Sequence, residues 1–308
     1  MRGQVSGAET AAVRQLADAA TDADGIAPLS EQVQLHLRYG GDAAARNLLL
    51  WQDRQLAGFA HLGSADPAGG RSGELVIHPA HRRRGLGLVL ARAVVAEGGD
   101  QPVRLWAHGD LPGAARLAAR ARFTRVRALW RMRRPMRGPL AEPVLPAGAG
   151  LRRFVPGQDE ENWIALNGRA FADHPEQGRW VRADLEHRER EPWFDPDGFF
   201  LAHRSGRLVG FHWTKIHQPD ARLASDADDG VGEIYVLGVD PAEQGTGLGR
   251  ALTLAGLRYL RDRGVANVML YVESTNVAAI KLYESAGFVH SDTDVMYAHE
   301  TAPEGQLL

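Results

Sequence analysis

The apolar positions in the second half of the chain fall into short alternating or continuous runs and into helical spacings. GFFLAHR (198–204) and RLVGFHWTK (207–215) are β-rich runs separated by Ser205-Gly206, which predicts a hairpin. GEIYVLGVDP (232–241) reads as a third strand. Leu248, Leu252, Ala255 and Tyr259 recur at helical spacing, and Gly264, after Arg261 and Arg263, marks the stop. VMLYVE (268–273) predicts another strand, Val277 to Ser285 another helix, and the stretch near Val295 to Ala298 a closing strand. This alternation predicts an α/β (α+β) unit with a mixed, mostly antiparallel sheet flanked by helices.

The pattern occurs twice. ELVIHPAHRRRGLGLVL (74–90) matches VLGVDPAEQGTGLGRAL (236–252), aligning Pro79 with Pro241, Gly85 with Gly247 and Gly87 with Gly249. Upstream, QLAGFAHLG (55–63) parallels RLVGFHWTK, and downstream VRLWAHGDLPGAARLAARARF (103–123) parallels VMLYVESTNVAAIKLYESAGF (268–288). Two copies of one domain follow. The length of 308 residues agrees, at about 150 residues per domain. RGPLAEPVLPAGAG (137–150) is dense in Pro, Gly and Ala without apolar periodicity, so the expected division is a domain over 1–140, a linker over 141–150 and a domain over 151–308.

Composition narrows the function. With 44% hydrophobic and 24% charged residues, a disordered or fibrous chain is excluded. The net charge of -2 argues against nucleic acid as a partner, and the arginines from Arg116 to Arg137 lack interleaved aromatics, so they read as a solvated face. The absence of Cys excludes disulfides, thiolate metal sites and a cysteine nucleophile, and points to a reducing compartment, with the cytoplasm expected. Met1 to Thr10 has no apolar signal core, and no run approaches the roughly 18 apolar residues that cross a bilayer, so no membrane association is expected. His78 and His81 lack a third ligand, and His212 and His217 read as strand and loop residues, so no metal is expected.

The strongest chemical feature is the turn Gln244-Gly245-Thr246-Gly247-Leu248-Gly249-Arg250 between a strand and an amphipathic helix. Glycines let a ligand approach the backbone, and a helix N-terminus offers unpaired N–H groups and partial positive charge, which suit a pyrophosphate. A dinucleotide fingerprint would need Gly where Leu252 stands, and a P-loop would need Gly-Lys-Ser/Thr, which is absent. A tight turn holding no ligand is the alternative.

Gln/Arg-x-x-Gly-x-Gly/Ala between strand and helix resembles the acetyl-CoA motif of the GNAT-type N-acetyltransferases, and both copies carry it. The stretch from Asn276 to Phe288 is similar to that superfamily's segment flanking the cofactor thiol. The tandem arrangement, with HPEQG (174–178), WFDPDG (193–198) and GFHWTK (210–215), resembles the mycothiol synthase family over nearly the whole chain. That resemblance implies acetyl transfer from acetyl-CoA to the cysteinyl amine of a cysteinyl-glucosaminyl-inositol by a protein expected to be monomeric.

The resemblance gives Glu233 the role of base and Tyr283 that of general acid; the alternatives, taken from the residues alone, are a solvated strand end for Glu233 and core packing for Tyr283. It places acceptor contacts on Glu31, Glu176, Lys215, Glu233 and Tyr271. Acetyl-CoA contacts fall on Leu237, Gly238 and Val239, where two parallel strands splay; on Gln244, Gly245, Thr246, Gly247, Leu248, Gly249 and Arg250; and on Asn276, Val277, Ala278, Ala279, Ile280 and Lys281. Gly238 read alone is a bulge without a ligand. The first copy would hold acetyl-CoA through Leu75, Val76, Ile77, Arg83, Arg84, Gly85, Leu86, Gly87 and Leu88, unless its turn is retained only for folding. Counting from the aligned motifs puts Arg71 at the place of Glu233, and Ala118, Leu111 and Arg122 at those of Tyr283, Asn276 and Gly287, so no transfer is expected there. Other acceptors in the same mechanism are a peptide N-terminus or an aminoglycoside; a non-catalytic acyl-CoA-binding regulator is a third reading, opposed by intact Glu233 and Tyr283.

Overall fold

Capping and apolar spacing set the first element. Ser6 and Glu9 form a capping box at the start of α1 (Gly7–Asp24), and Val13, Leu16 and Ala20 recur on its buried face. This is a computed structural model, and it describes residues 5–40, 43–66, 70–172, 174, 177–217 and 230–299. The chain divides into two units, one running to Leu129 and resuming at Asp292, the other spanning Trp130–Ser291.

The first unit continues with α2 (Glu31–Tyr39), β1 (Arg46–Gln52), β2 (Gln55–Ala65), β3 (Arg71–Ile77), α3 (Leu86–Gly98), β4 (Val103–Ala107), α4 (Pro112–Arg120) and the start of β5 (Phe123–Pro135). Its strand order is β1-β2-β3-β4-β11, where β11 is Val289–His299; only β3 and β4 run parallel. Leu48, Leu62, Leu90, Val94 and Val103 pack together in one cluster, and Val13, Leu16, Phe59 and Val76 in another. Because adjacent side chains of a strand point to opposite faces, β2 feeds both clusters.

The second unit has β6 (Ala149–Arg153), α5 (Glu160–Ala170), α6 (Arg182–Glu189), β7 (Phe199–Arg204), β8 (Arg207–His217), β9 (Val231–Val239), α7 (Leu248–Asp262), β10 (Asn267–Glu273) and α8 (Val277–Ser285). Its order is β10-β9-β8-β7-β6, with β5 beside β10; β9 and β10 run parallel, and the β9–β8, β8–β7 and β7–β6 pairs antiparallel. The hairpin turn falls on Ser205 and Gly206, both at positive φ. Trp163, Leu166, Leu185, Phe199, Phe211 and Trp213 form one core cluster; Ile234, Leu257, Leu260, Leu270, Ile280 and Tyr283 form another. Both units thus have the expected mixed, mostly antiparallel sheet with helices. Among the described residues no helix is long and apolar enough to cross a membrane.

One feature of each sheet matters for chemistry. Pairing of β9 with β10 runs from Val231↔Asn267 to Ile234↔Leu270, whereas Val236–Val239 pair only with β8. In the first unit β3 pairs with β4 from Arg71↔Val103 to Glu74↔Trp106, leaving Leu75–Ile77 paired only with β2. Each sheet therefore opens along the second half of its central strand, with backbone groups free to meet an extended ligand.

Candidate active site

Register brings together three of the residues expected to contact an acceptor. Lys215 on β8 stands opposite Glu233 on β9, which stands opposite Met269 on β10, and alternation along β10 places Tyr271 on the same face. Glu233 and Lys215 are buried, while Tyr271 is exposed. The Lys215 ammonium lies 4.4 Å from the Trp193 ring centre and 5.2 Å from that of Tyr235, so two aromatic faces pack against the cation. Arg188 donates to the Tyr235 hydroxyl at 2.6 Å and holds that ring in place. His217, two residues beyond Lys215, hydrogen-bonds Glu233 through Nε2 to Oε2 at 2.7 Å. Glu31 lies in the first unit, opening α2 after the Ser30 N-cap. Glu176 lies outside the described residues.

The bend that brings Tyr235 to Lys215 is a β-bulge. Trp213 pairs with Val236 and Thr214 with Ile234, so Tyr235 is the extra residue of β9. The bulge sits where β9 leaves β10. Gly238, by contrast, lies in regular pairing with Phe211, and a Cβ there would come within 2.6 Å of the Phe211 ring and 3.2 Å of Ala170. Its glycine is required by that packing, and the opening begins at Tyr235 instead.

The turn after β9 fits an anion. Gly245 and Gly247 adopt φ of 77° and 89°, and Gly247 caps α7 without a side-chain hydrogen bond. Gln244 through Gly247 and Arg250 are exposed, whereas Leu248 is buried and anchors the helix. The first-turn N–H groups of α7 thus point at open space with the positive end of the helix dipole behind them, a fit for a diphosphate. Asn276 caps α8 by accepting from the Ala279 N–H at 3.1 Å, Ile280 is core, and Val277, Ala278 and Lys281 are exposed.

Tyr283 is on α8 within the cluster containing Ile234 and Leu270, which point away from the Glu233 face. Its ring meets Phe288 edge-on at 5.9 Å. Burial pushes its phenol up to about 12, so it keeps its proton at neutral pH. A carboxylate and a protonated phenol therefore occupy opposite faces of the sheet, just before the point where β9 leaves β10.

The first copy keeps the backbone of the turn and differs in its side chains. Gly85 caps α3 at φ 84°, and Arg83, at the place of Gly245, holds φ 64° although it has a side chain. β3 lacks the extra residue corresponding to Tyr235, which shifts the comparison by one. Arg71 and Gly232 share their register against Val103 and Val268, so Ser72 occupies the place of Glu233. Arg71 donates to the carbonyls of Gly63, Glu97 and Ala44 and is a structural clamp. Ala118 is core, and Leu111 caps α4 without a side-chain bond. Among the described residues no group of three His, Cys, Asp or Glu side chains could hold a metal.

Sequence reasoning missed His217, Trp193 and Tyr235 as site residues. Only the cross-strand register of β8 and β9 brings His217 to Glu233, although its two-residue spacing from Lys215 carried the signal.

A family model described as the Acetyltransferase (GNAT) family matches residues 11–122 and 164–288. The chain is 62% identical over 286 residues to a mycothiol acetyltransferase of Thermobispora bispora, covering 93% of this chain and 94% of the relative. It is 54% identical over 312 residues to that of Acidothermus cellulolyticus, covering 99% and 95%. A GCN5-related N-acetyltransferase structure from Sphaerobacter thermophilus superposes with a TM-score of 0.69 at 25% identity, covering 99% and 96%. A tandem GNAT protein from the clavulanic acid biosynthesis pathway, at 21% identity and a TM-score of 0.72, shares the fold over 98% of both chains. This chain belongs to the GNAT family of acetyltransferases, in its tandem form and beside the mycothiol acetyltransferases.

Proposed function

We propose that the second unit transfers acetyl from acetyl-CoA to the cysteinyl amine of 1D-myo-inositol 2-(L-cysteinylamino)-2-deoxy-glucopyranoside, giving mycothiol, and that the protein works as a cytoplasmic monomer without a metal. The observation that carries this reading is the buried Glu233, set beside Lys215 on one face of an opened sheet in a chain 62% identical to a mycothiol acetyltransferase.

An α-amine titrates near 7.7–8.0 and arrives largely as ammonium. Glu233 takes its proton, directly or through water, and frees the lone pair. As the new C–N bond forms and the C–S bond breaks, a main-chain N–H on the open edge of the Leu237, Gly238, Val239 stretch stabilises the charge developing on the carbonyl oxygen. Tyr283 gives its proton to the departing thiolate. Lys215 and Tyr271, with Glu31 and Glu176, bind sugar and inositol hydroxyls. The α7 turn, from Gln244 to Arg250, holds the diphosphate, and the segment Asn276–Lys281 flanks the thiol. The first copy binds a second acetyl-CoA along Leu75–Ile77 and Arg83–Leu88 without transferring its acetyl group; the retention of positive φ at Arg83, against its side chain's preference, supports a kept ligand loop.

The test measures CoA release by the purified protein with the cysteinyl-glucosaminyl-inositol, a peptide N-terminus and an aminoglycoside. The expected outcome is a kcat/KM at least about 100-fold higher for the first, roughly the discrimination that a few buried polar contacts provide. Faster turnover of a peptide or aminoglycoside would replace the acceptor and keep the mechanism. Binding of acetyl-CoA with no turnover of any amine would favour a regulator.

A further inference from the structure

The steps above leave the contact between His217 and Glu233 without a use. The Glu233 side chain is 8% exposed against 34% for His217. A carboxylate oxygen accepts, so the imidazole Nε2, 2.7 Å away, carries the proton and donates it. His217 sits on the same face as Lys215 and faces Val231 across the β8–β9 pairing, diagonal to Glu233, so the two side chains meet without distortion of the strands.

We infer that His217 is a positioning residue for acetyl transfer: its Nε2–H holds Oε2 of Glu233 and leaves Oε1 free, aimed at the incoming ammonium. This inference rests on the proposed role of Glu233 as base. A carboxylate flanked by strand residues has several rotamers, and proton abstraction requires one within hydrogen-bond reach of the amine. Charge-assisted hydrogen bonds are short and directional, which is what selects a single rotamer. The imidazole touches neither reacting atom and acts only through Glu233.

The experiment compares His217→Ala, His217→Gln, His217→Leu, Glu233→Gln and the double variant His217→Ala/Glu233→Gln in the full-length protein, with the cysteinyl-glucosaminyl-inositol as acceptor. Loss of a hydrogen bond to a charged group predicts a kcat about 10- to 100-fold lower for His217→Ala, with KM for both substrates within about twofold, the mark of an interaction felt only in the transition state. Gln, which offers an amide N–H, restores most of the rate; added imidazole partly rescues Ala; and the double variant is no slower than Glu233→Gln alone. A His217→Ala rate equal to wild type while Glu233→Gln is crippled would overturn the inference and leave the base reading intact. Additive losses in the double variant would also overturn it. If Ala does not fold, Gln active with Leu impaired supports the inference, and equal rates for Gln and Leu defeat it. Wild-type turnover by Glu233→Gln would instead remove the base reading itself.

Discussion

At Glu233 the carboxylate can be neutralised without changing its shape. Glu233→Gln should lower kcat by about 10²–10⁴-fold, the range for losing general-base help, while acetyl-CoA affinity by calorimetry stays within about twofold because that ligand is held elsewhere. Wild-type turnover would show that another group deprotonates the amine. Tyr283→Phe removes one oxygen from a buried ring; burial raises its phenol to about 12. The expected result is a depressed kcat with unchanged acetyl-CoA affinity, since the proton goes to the thiolate only as the C–S bond breaks. Both residues were readable from the sequence as candidates, but the chemistry of each came only with its family resemblance. A glutamate at a strand start and a tyrosine at helical spacing are ordinary core and surface features.

At the level of the element, the strand–turn–helix that follows β9 makes a separable prediction. Gly247 holds φ 89° at the start of α7 and Gly264 holds φ 81° just beyond its end, with no atom near enough to oppose a Cβ at either. A non-glycine residue in that region costs about 1–2 kcal/mol, so Gly247→Ala and Gly264→Ala should both lower the melting temperature, by about 2–8 °C. Only Gly247→Ala should also weaken acetyl-CoA binding in a calorimetric titration, because only it disturbs the N–H groups proposed to hold the diphosphate. Equal loss of affinity in both variants would mean that the turn acts through stability alone. This turn, its hairpin at Ser205-Gly206 and the spans of α7 and α8 were legible in the sequence because each rests on local signals: a positive-φ residue, a cap, a 3.6-residue period. The bulge at Tyr235 was not. Ile234, Tyr235, Val236 and Leu237 form a continuous apolar run, and an extra residue in such a run breaks no alternation, so motif counting placed Arg71 where register places Ser72. His217 was missed for the same reason, since its partner lies across a strand pairing that no local pattern encodes.

Across the whole molecule, buried histidines couple stability to pH, and they do so in opposite senses. Burial, with His36 nearby, lowers His61 to about 4, and burial lowers His212 to about 4 despite the Leu252 carbonyl that its Nδ1–H donates to. In His108, burial alone would lower the value, but Asp294, 2.9 Å from Nδ1, and Glu74, 3.5 Å from Nε2, outweigh it and raise it to about 10. For His61 and His212 the unfolded chain takes up protons between about 6.5 and 4 that the folded chain refuses, so stability falls as pH drops through that window. For His108 the folded chain keeps a proton that the unfolded chain releases near 6.5; its contribution is complete below 6.5 and drains away as pH rises toward 10. Melting temperature should therefore peak near pH 6.5 and decline on both sides. His108→Gln isolates the alkaline limb: it leaves Glu74 and Asp294 buried without their cation, so it should melt lower at neutral pH, and its decline between pH 7 and 10 should flatten while the acid limb persists. Scanning fluorimetry across pH 4.5–10 on both proteins reads this directly, and an alkaline slope identical to wild type would show that the imidazolium held between the two carboxylates is not what ties the first unit's stability to pH.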